Sequence, residues 1–285
     1  MSSAEHSADI EIKLLLEAVY LKYDYDFREY SLASMRRRLS AATVKFGVSS
    51  ITQLQDKLFR EPDFFQALLQ YLTISVSEFF RDPDYFLIFR NQIVPFLKTY
   101  PSLKIWVAGC CTGEEAYSLA IVLKEEGLLE RAIIYATDIN PKNLERAKQG
   151  IYSLECMRGF ENHYHQAGGK SDFSKYYITE YDAAILDSSL SANIVFADHS
   201  LATDNVFSET HFISCRNVLI YFDRKLQDRA LRLFGDSIVF GGFLGLGKKE
   251  SIQFSAEKDR WANFDEKNKI YRRNAWRPTL KTDSI

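Results

Sequence analysis

At Leu103 the apolar pattern of this 285-residue chain changes period, and that change constrains the fold more than any single motif. Upstream, apolar residues recur at three- and four-residue steps, the spacing of helices with one buried stripe. Asp9 can cap a first helix carrying Ile10, Ile12, Leu14, Leu15, Val19 and Leu21. Ser31 can cap a second, with Leu32, Met35, Leu39, Ala42 and Phe46 on one stripe and Gly47 as its stop. Helices are predicted near 52–60, 62–72 and 83–99. Downstream, short apolar runs take over: Leu103–Ala108, Ile133–Thr137, Asn193–Ala197, His211–Cys215 and Gly242–Gly247. Helical stretches, Glu114–Glu126, Asn143–Lys148 and about 224–239, fall among them. Such alternation predicts a parallel sheet covered by helices, an α/β fold. Between Gly150 and about Ser191 the alternation breaks in a stretch rich in Tyr, Ser, Gly and His, read as an insertion.

Hydrophobic residues make up 46% of the chain and charged residues 26%, enough for a sizeable core. A net charge of −2 weighs against a nucleic-acid partner, which calls for a basic excess. Cys110, Cys111, Cys156 and Cys215 form neither a disulfide framework nor a zinc pattern, and His163, His165 and His199 are too scattered for a metal. No signal segment or long apolar run is present, so the expectation is a cytoplasmic protein, a monomer without direct membrane insertion.

Three strand ends carry candidate chemistry. After the first strand, Gly109 and Gly113 flank a turn that opens a helix with Glu114 and Glu115. Glycine lets a ligand approach the backbone, and acidic residues suit a helix start while repelling a pyrophosphate. A nucleoside bearing cationic groups would be accepted there; a plain tight turn reads equally well. Asp138 ends the second strand, where a carboxylate can take ribose hydroxyls. It could instead cap the next helix, although Asn140-Pro141 already supplies a start. Arg216 and Asn217 follow the strand His211–Cys215, in the crevice where such sheets bind ligands.

Five blocks, in order and spacing, resemble the CheR-type chemotaxis methyltransferases. They are Ser75–Asp82 (SVSEFFRD), Ala108–Ser118 (AGCCTGEEAYS), Ala136–Asn140 (ATDIN), Ser214–Asp223 (SCRNVLIYFD) and Gly241–Ser251 (GGFLGLGKKES). The resemblance spans roughly residues 8–255. It implies a doubly wound Rossmann-like methyltransferase sheet, an N-terminal all-α domain over 1–85, and a second domain over 86–285 that binds S-adenosylmethionine. A small antiparallel subdomain is inserted at about 150–191. By this resemblance Glu114 meets the amino-acid end of the cofactor, Asp138 the ribose, and Ser200 and Leu201 the adenine. Arg216 and Asn217 close over it, Gly109 lies in its loop, and Ser75, Ser77 and Arg81 contact the methionine moiety. Ser75, Ser77, Ser200 and Lys248 depart from the family's usual residues.

The implied reaction is methyl transfer from S-adenosylmethionine to glutamate side chains of a chemoreceptor-like protein, leaving S-adenosylhomocysteine. A glutamate carboxylate, with a pKa of about 4.3, needs no general base near neutral pH. No catalytic residue is assigned; Arg81 and Tyr221 are candidates for orienting the acceptor. Residues 1–34 carry a net charge of −4 and residues 35–60 a net of +5. With the apolar stripe of the second helix inward, Arg37 is expected to point away, flanked by Arg36 and Arg38. Such a basic ridge suits an acidic receptor helix, or is only a solvated face. Two other readings stand beside this one: a non-catalytic S-adenosylmethionine sensor, and a methyltransferase with a different acceptor.

Overall fold

The structure, a computed structural model, describes residues 3–275; residues 276–285, the end of the expected second domain, lie outside the described residues. Four helices come first: α1 (Ser3–Tyr23), α2 (Leu32–Phe46), α3 (Ile51–Arg60) and α4 (Phe64–Leu72). Ile12, Leu15, Val19, Met35, Leu39, Leu54 and Leu68 are fully buried in one core between them. The expected α2 stripe is there, and Gly47, at φ 64°, ends the helix by donating to the Thr43 and Val44 carbonyls. The first helix differs from expectation. It starts upstream of Asp9, so Asp9 is no cap; its carboxylate pairs with Arg36 across the α1–α2 contact.

An extended segment, 73–82, crosses to the second domain and buries Phe79 and Phe80 there. The helix expected over 83–99 is α5 (Pro83–Ile88) and α6 (Val94–Leu97) joined by one π-helical turn, Phe89–Ile93. Pro95 lacks the N–H that an unbroken α-helix would need there.

The main sheet has seven strands in the order β6-β2-β1-β7-β8-β10-β9. They are β1 (Leu103–Ala108), β2 (Ala132–Asp138), β6 (Ile194–Asp198), β7 (Thr210–Cys215), β8 (Ile238–Leu246), β9 (Trp261–Asp265) and β10 (Ile270–Arg273). The first five run parallel; β10 pairs antiparallel with both β8 and β9. This last hairpin was not foreseen, because its residues (WANFD and IYRR) are short and polar. Along β1, Ile105 and Val107 enter one core while Trp106 and Ala108 enter another, so both faces of the sheet are covered. Helices α7 (Glu114–Glu125), α8 (Pro141–Gln149) and α11 (Arg224–Ser237) connect the strands.

The insertion holds β3 (Ile151–Ser153), α9 (Leu154–Gln166), β4 (Tyr177–Glu180), β5 (Ala183–Leu186) and the short α10 (Ser188–Ser191). Its strands form a separate antiparallel sheet, β3-β5-β4. Helix α9 was not anticipated. Ser153 caps it by accepting from Cys156 N–H, and it buries Met157 and Tyr164 behind a polar, His-bearing face.

Candidate active site

Strand β1 pairs with β2 on one side and β7 on the other, so the connections leave it in opposite directions and open a crevice at the strand ends. The loop after β1 is stitched to the end of β2. Gly109 and Cys110 N–H both donate to the Thr137 carbonyl at 2.8 Å, and Cys111 N–H donates to Asp138 Oδ2 at 2.9 Å. Three residues in it have positive φ, Gly109 (74°), Cys111 (52°) and Gly113 (97°). A Cβ at Gly109 would stand 2.5 Å from Val218 Cγ2, so only glycine lets this loop lie against the opposite wall.

The resulting cleft has a volume of about 340 Å³, within the roughly 300–1,000 Å³ of small-molecule sites. Of the residues singled out from sequence, Ser77, Arg81, Gly109, Asp138, Leu201, Arg216, Asn217 and Tyr221 line it. Ser75, Glu114 and Ser200 stand outside that lining. Ser75 Oγ donates to Asn143 Oδ1 at 2.7 Å. Asn143 in turn donates to Asp138 Oδ1 at 3.3 Å, so Ser75 reaches the cleft only through Asn143. Ser200 shapes a turn by accepting from Ala202 N–H. Glu115, named beside Glu114 at the helix start but given no contact of its own, does line the cleft. Neighbouring residues near a helix start point in different directions, which the motif alone does not reveal.

Asp138 and Glu114 are buried carboxylates with no cation within salt-bridge distance among the described residues. Asp138 accepts N–H from Cys111 and Asn140 and the Asn143 amide. That fills three of about four lone-pair positions on a carboxylate. Burial nevertheless holds its pKa above the ordinary range, against those hydrogen bonds. Glu114 takes the Thr112 hydroxyl at 2.7 and 2.8 Å, and burial raises its pKa also. Two buried negative charges without a positive partner are costly unless a cationic ligand compensates them. The thiols beside them are no nucleophiles: burial, then Glu114, push Cys111 up to about 12, and burial raises Cys110 well above its usual value.

Arg216 is committed to the protein. Its side chain is 1% exposed and reaches Glu115 at 3.0 Å, Asp82 at 2.7 Å and the Arg81 carbonyl at 2.7 Å, with the Tyr85 ring centre 4.2 Å away. Lys248 takes the other Asp82 oxygen at 2.9 Å. Burial acts to raise the Asp82 pKa, but Lys248 and Arg216 outweigh it and hold the group low. The crossing segment that carries Arg81 is thereby anchored to the strand ends.

The basic ridge is corrected. Arg37 is exposed, as expected, and Arg36 pairs with Asp9. Arg38 is 6% exposed and turned inward: it donates to the Leu72 carbonyl, lies 4.4 Å over the Tyr221 ring and lines the cleft. It is one position from Leu39 on a helix whose buried arc continues into the domain contact, where Ser31 N–H donates to the Tyr221 carbonyl. A helix-face estimate made without the second domain places that arc in water.

Among the described residues, no group of His, Cys, Asp and Glu could hold a metal ion, and no helix is long and apolar enough to cross a membrane.

A switch-point cleft with the buried, unpaired carboxylate of Asp138 at the end of β2 defines an α/β protein that takes its ligand at the strand ends. Residues 75–269 match the family model described as CheR methyltransferase, SAM binding domain, and residues 10–73 match CheR methyltransferase, all-alpha domain. The chain belongs to the CheR methyltransferase family, and S-adenosylmethionine is its cofactor. It is 58% identical over 272 residues to Cher3 of Pseudomonas putida, a protein provisionally named a methyltransferase, covering 95% of this chain and 100% of that one. It is 31% identical to a chemotaxis protein methyltransferase of Listeria innocua, covering 80% and 84% of the two chains. Against an uncharacterized 104.1 kDa protein of Rhodobacter capsulatus it is 28% identical, over 84% of this chain but only 25% of that protein.

Proposed function

We propose that this enzyme methylates glutamate side chains in the cytoplasmic helical region of a methyl-accepting chemoreceptor-like protein, forming methyl esters. The observation that carries this reading is Arg38. The helical domain, which a sheet enzyme does not need for its cofactor, places a buried guanidinium in the same cleft as Arg81 and Tyr221. A negatively charged acceptor complements that wall. The chemotaxis protein methyltransferases among the relatives support the same class of substrate.

The cofactor, when bound, would supply a sulfonium methyl group, which passes to an acceptor oxygen as the carbon–sulfur bond breaks and the thioether leaves. Asp138 suits its positive charge and polar ends, and Leu201, Ile139 and Val218 suit its base. A glutamate acceptor is already ionised near neutral pH, so no side chain must remove a proton. The protein's task is to hold the acceptor oxygen in line, where alignment contributes effective molarities of about 10⁵ M or more. Arg38 and Arg81 orient the carboxylate, and Tyr221 supports Arg38.

The test is transfer of labelled methyl from the cofactor to a receptor cytoplasmic fragment, followed by base. Base-labile label released as methanol is expected. Label stable to base would mean a different acceptor, and cofactor binding without transfer would mean a sensor.

A further inference from the structure

The loop after β8 carries a buried carboxylate that the cleft's lining does not include. Glu250 is 4% exposed and has no cation within salt-bridge distance among the described residues. Backbone N–H groups hold it instead. Its Oε2 accepts from Gly247 at 2.6 Å and Asn217 at 3.0 Å, and its Oε1 accepts from Ile220 at 3.2 Å. A charge-assisted bond of this kind is stronger than a neutral one, and here three converge on one group.

Two of those N–H groups belong to the segment that walls the cleft, where Arg216, Asn217, Val218 and Tyr221 all line it. Asn217 sits at φ 61°, a left-handed conformation that asparagine adopts more readily than most residues with a side chain. The approach is close as well. A Cβ at Gly247 would stand 2.8 Å from Asn217 N and 2.8 Å from Glu250 Oε2, so glycine is required where the two loops meet.

We propose that Glu250 is a positioning residue, whose carboxylate holds the Asn217–Tyr221 wall in the shape that receives the cofactor. This rests on the assignment of that wall to the cofactor. Glu250 touches no reacting atom; it acts through the backbone of Asn217 and Ile220. Glutamine is the informative replacement. Its carboxamide keeps one acceptor and turns an N–H donor toward backbone donors, so the three bonds cannot all survive.

The experiment compares wild type, Glu250→Gln and Asn217→Ala as full chains. Affinity for S-adenosylhomocysteine is measured by calorimetry, and backbone amide exchange by nuclear magnetic resonance. Glu250→Gln is expected to weaken binding about tenfold or more, with faster exchange at Asn217 and Ile220 and unchanged protection in β1 and β2. Wild-type affinity in Glu250→Gln, with weakened binding in Asn217→Ala, overturns the proposal and leaves the wall's assignment standing. Wild-type affinity in both variants overturns both. Uniformly faster exchange across the sheet, with normal affinity in the folded fraction, makes Glu250 a stability residue only and also overturns the proposal. Should Glu250→Gln not fold, Glu250→Asp keeps the charge, shortens the reach by one methylene and takes the same readouts.

Discussion

The guanidinium of Arg38 lies 4.4 Å from the centre of the Tyr221 ring, joining the second helix of the first domain to the strand-end wall of the second. A planar cation over a partly exposed aromatic face contributes on the order of 1 kcal/mol. The cleft is therefore lined from both domains.

The three adjacent arginines accordingly separate in function. Arg38→Ala is expected to cut turnover at saturating cofactor by at least tenfold, and Arg38→Lys to restore little, since an ammonium cannot stack as guanidinium does. Arg37→Ala should leave turnover alone and raise the Michaelis constant for a receptor fragment, more at low salt than at physiological ionic strength, where screening sets in at about 8 Å. Steady-state kinetics of the single variants at two salt concentrations decide this. Equal behaviour of Arg37→Ala and Arg38→Ala would remove the distinction between ridge and cleft.

Asp138 organises the loop after β1 as well as facing the cleft. Asp138→Ala leaves the N–H groups of Cys111 and Asn140 without their partner, so it should lose both cofactor affinity and stability. Bonds to a charged group are worth roughly 1.5–3 kcal/mol each, which sets about a tenfold or larger loss of affinity and a comparable loss of folding free energy. Calorimetric titration with the product, beside denaturant unfolding, measures both. Unchanged affinity would show that Asp138 serves the loop alone.

The two raised carboxylates, Asp138 and Glu114, set a pH dependence. In the free protein burial favours their protonated forms, so the folded state binds more protons than the unfolded. Their contribution to stability declines as pH rises from the unfolded value of about 4 through the raised folded values. A cationic ligand favours the ionised forms, so affinity should fall as pH is lowered through that same window. S-adenosylmethionine, with its sulfonium, should lose more than the uncharged thioether of S-adenosylhomocysteine. Parallel titrations of the two ligands from pH 7 downward test this; identical slopes would detach the carboxylates from the sulfonium charge.

A hydrogen bond joins the insertion to the cofactor loop. Tyr152, in β3, donates to the Thr112 carbonyl at 2.7 Å, and Thr112 donates to Glu114. Tyr152→Phe keeps the packing against Phe79, whose ring centre is 4.9 Å away, and removes only the hydroxyl. A several-fold loss of product affinity is expected, from a hydrogen bond worth about 1 kcal/mol. The same affinity in both proteins would mean that the subdomain packs on the loop without shaping it.

Period and composition determined the helical first domain, the parallel strands, the place of the insertion and the strand-end positions of Asp138, Arg216 and Asn217. These are local properties: a buried stripe or an apolar run reports the burial of its own element. Tertiary structure decided the rest. Arg38 turned inward because the second domain covers a helix face that period alone assigns to water. Glu115 rather than Glu114 reached the cleft because a glycine at φ 97° sets the start of α7. Helix α9 and the β9–β10 hairpin hold their places by packing and edge pairing, which polar, short segments do not announce. Glu250 became visible only when two loops far apart in sequence brought three backbone N–H groups onto one carboxylate, since burial without a counter-charge is a property of the assembled structure.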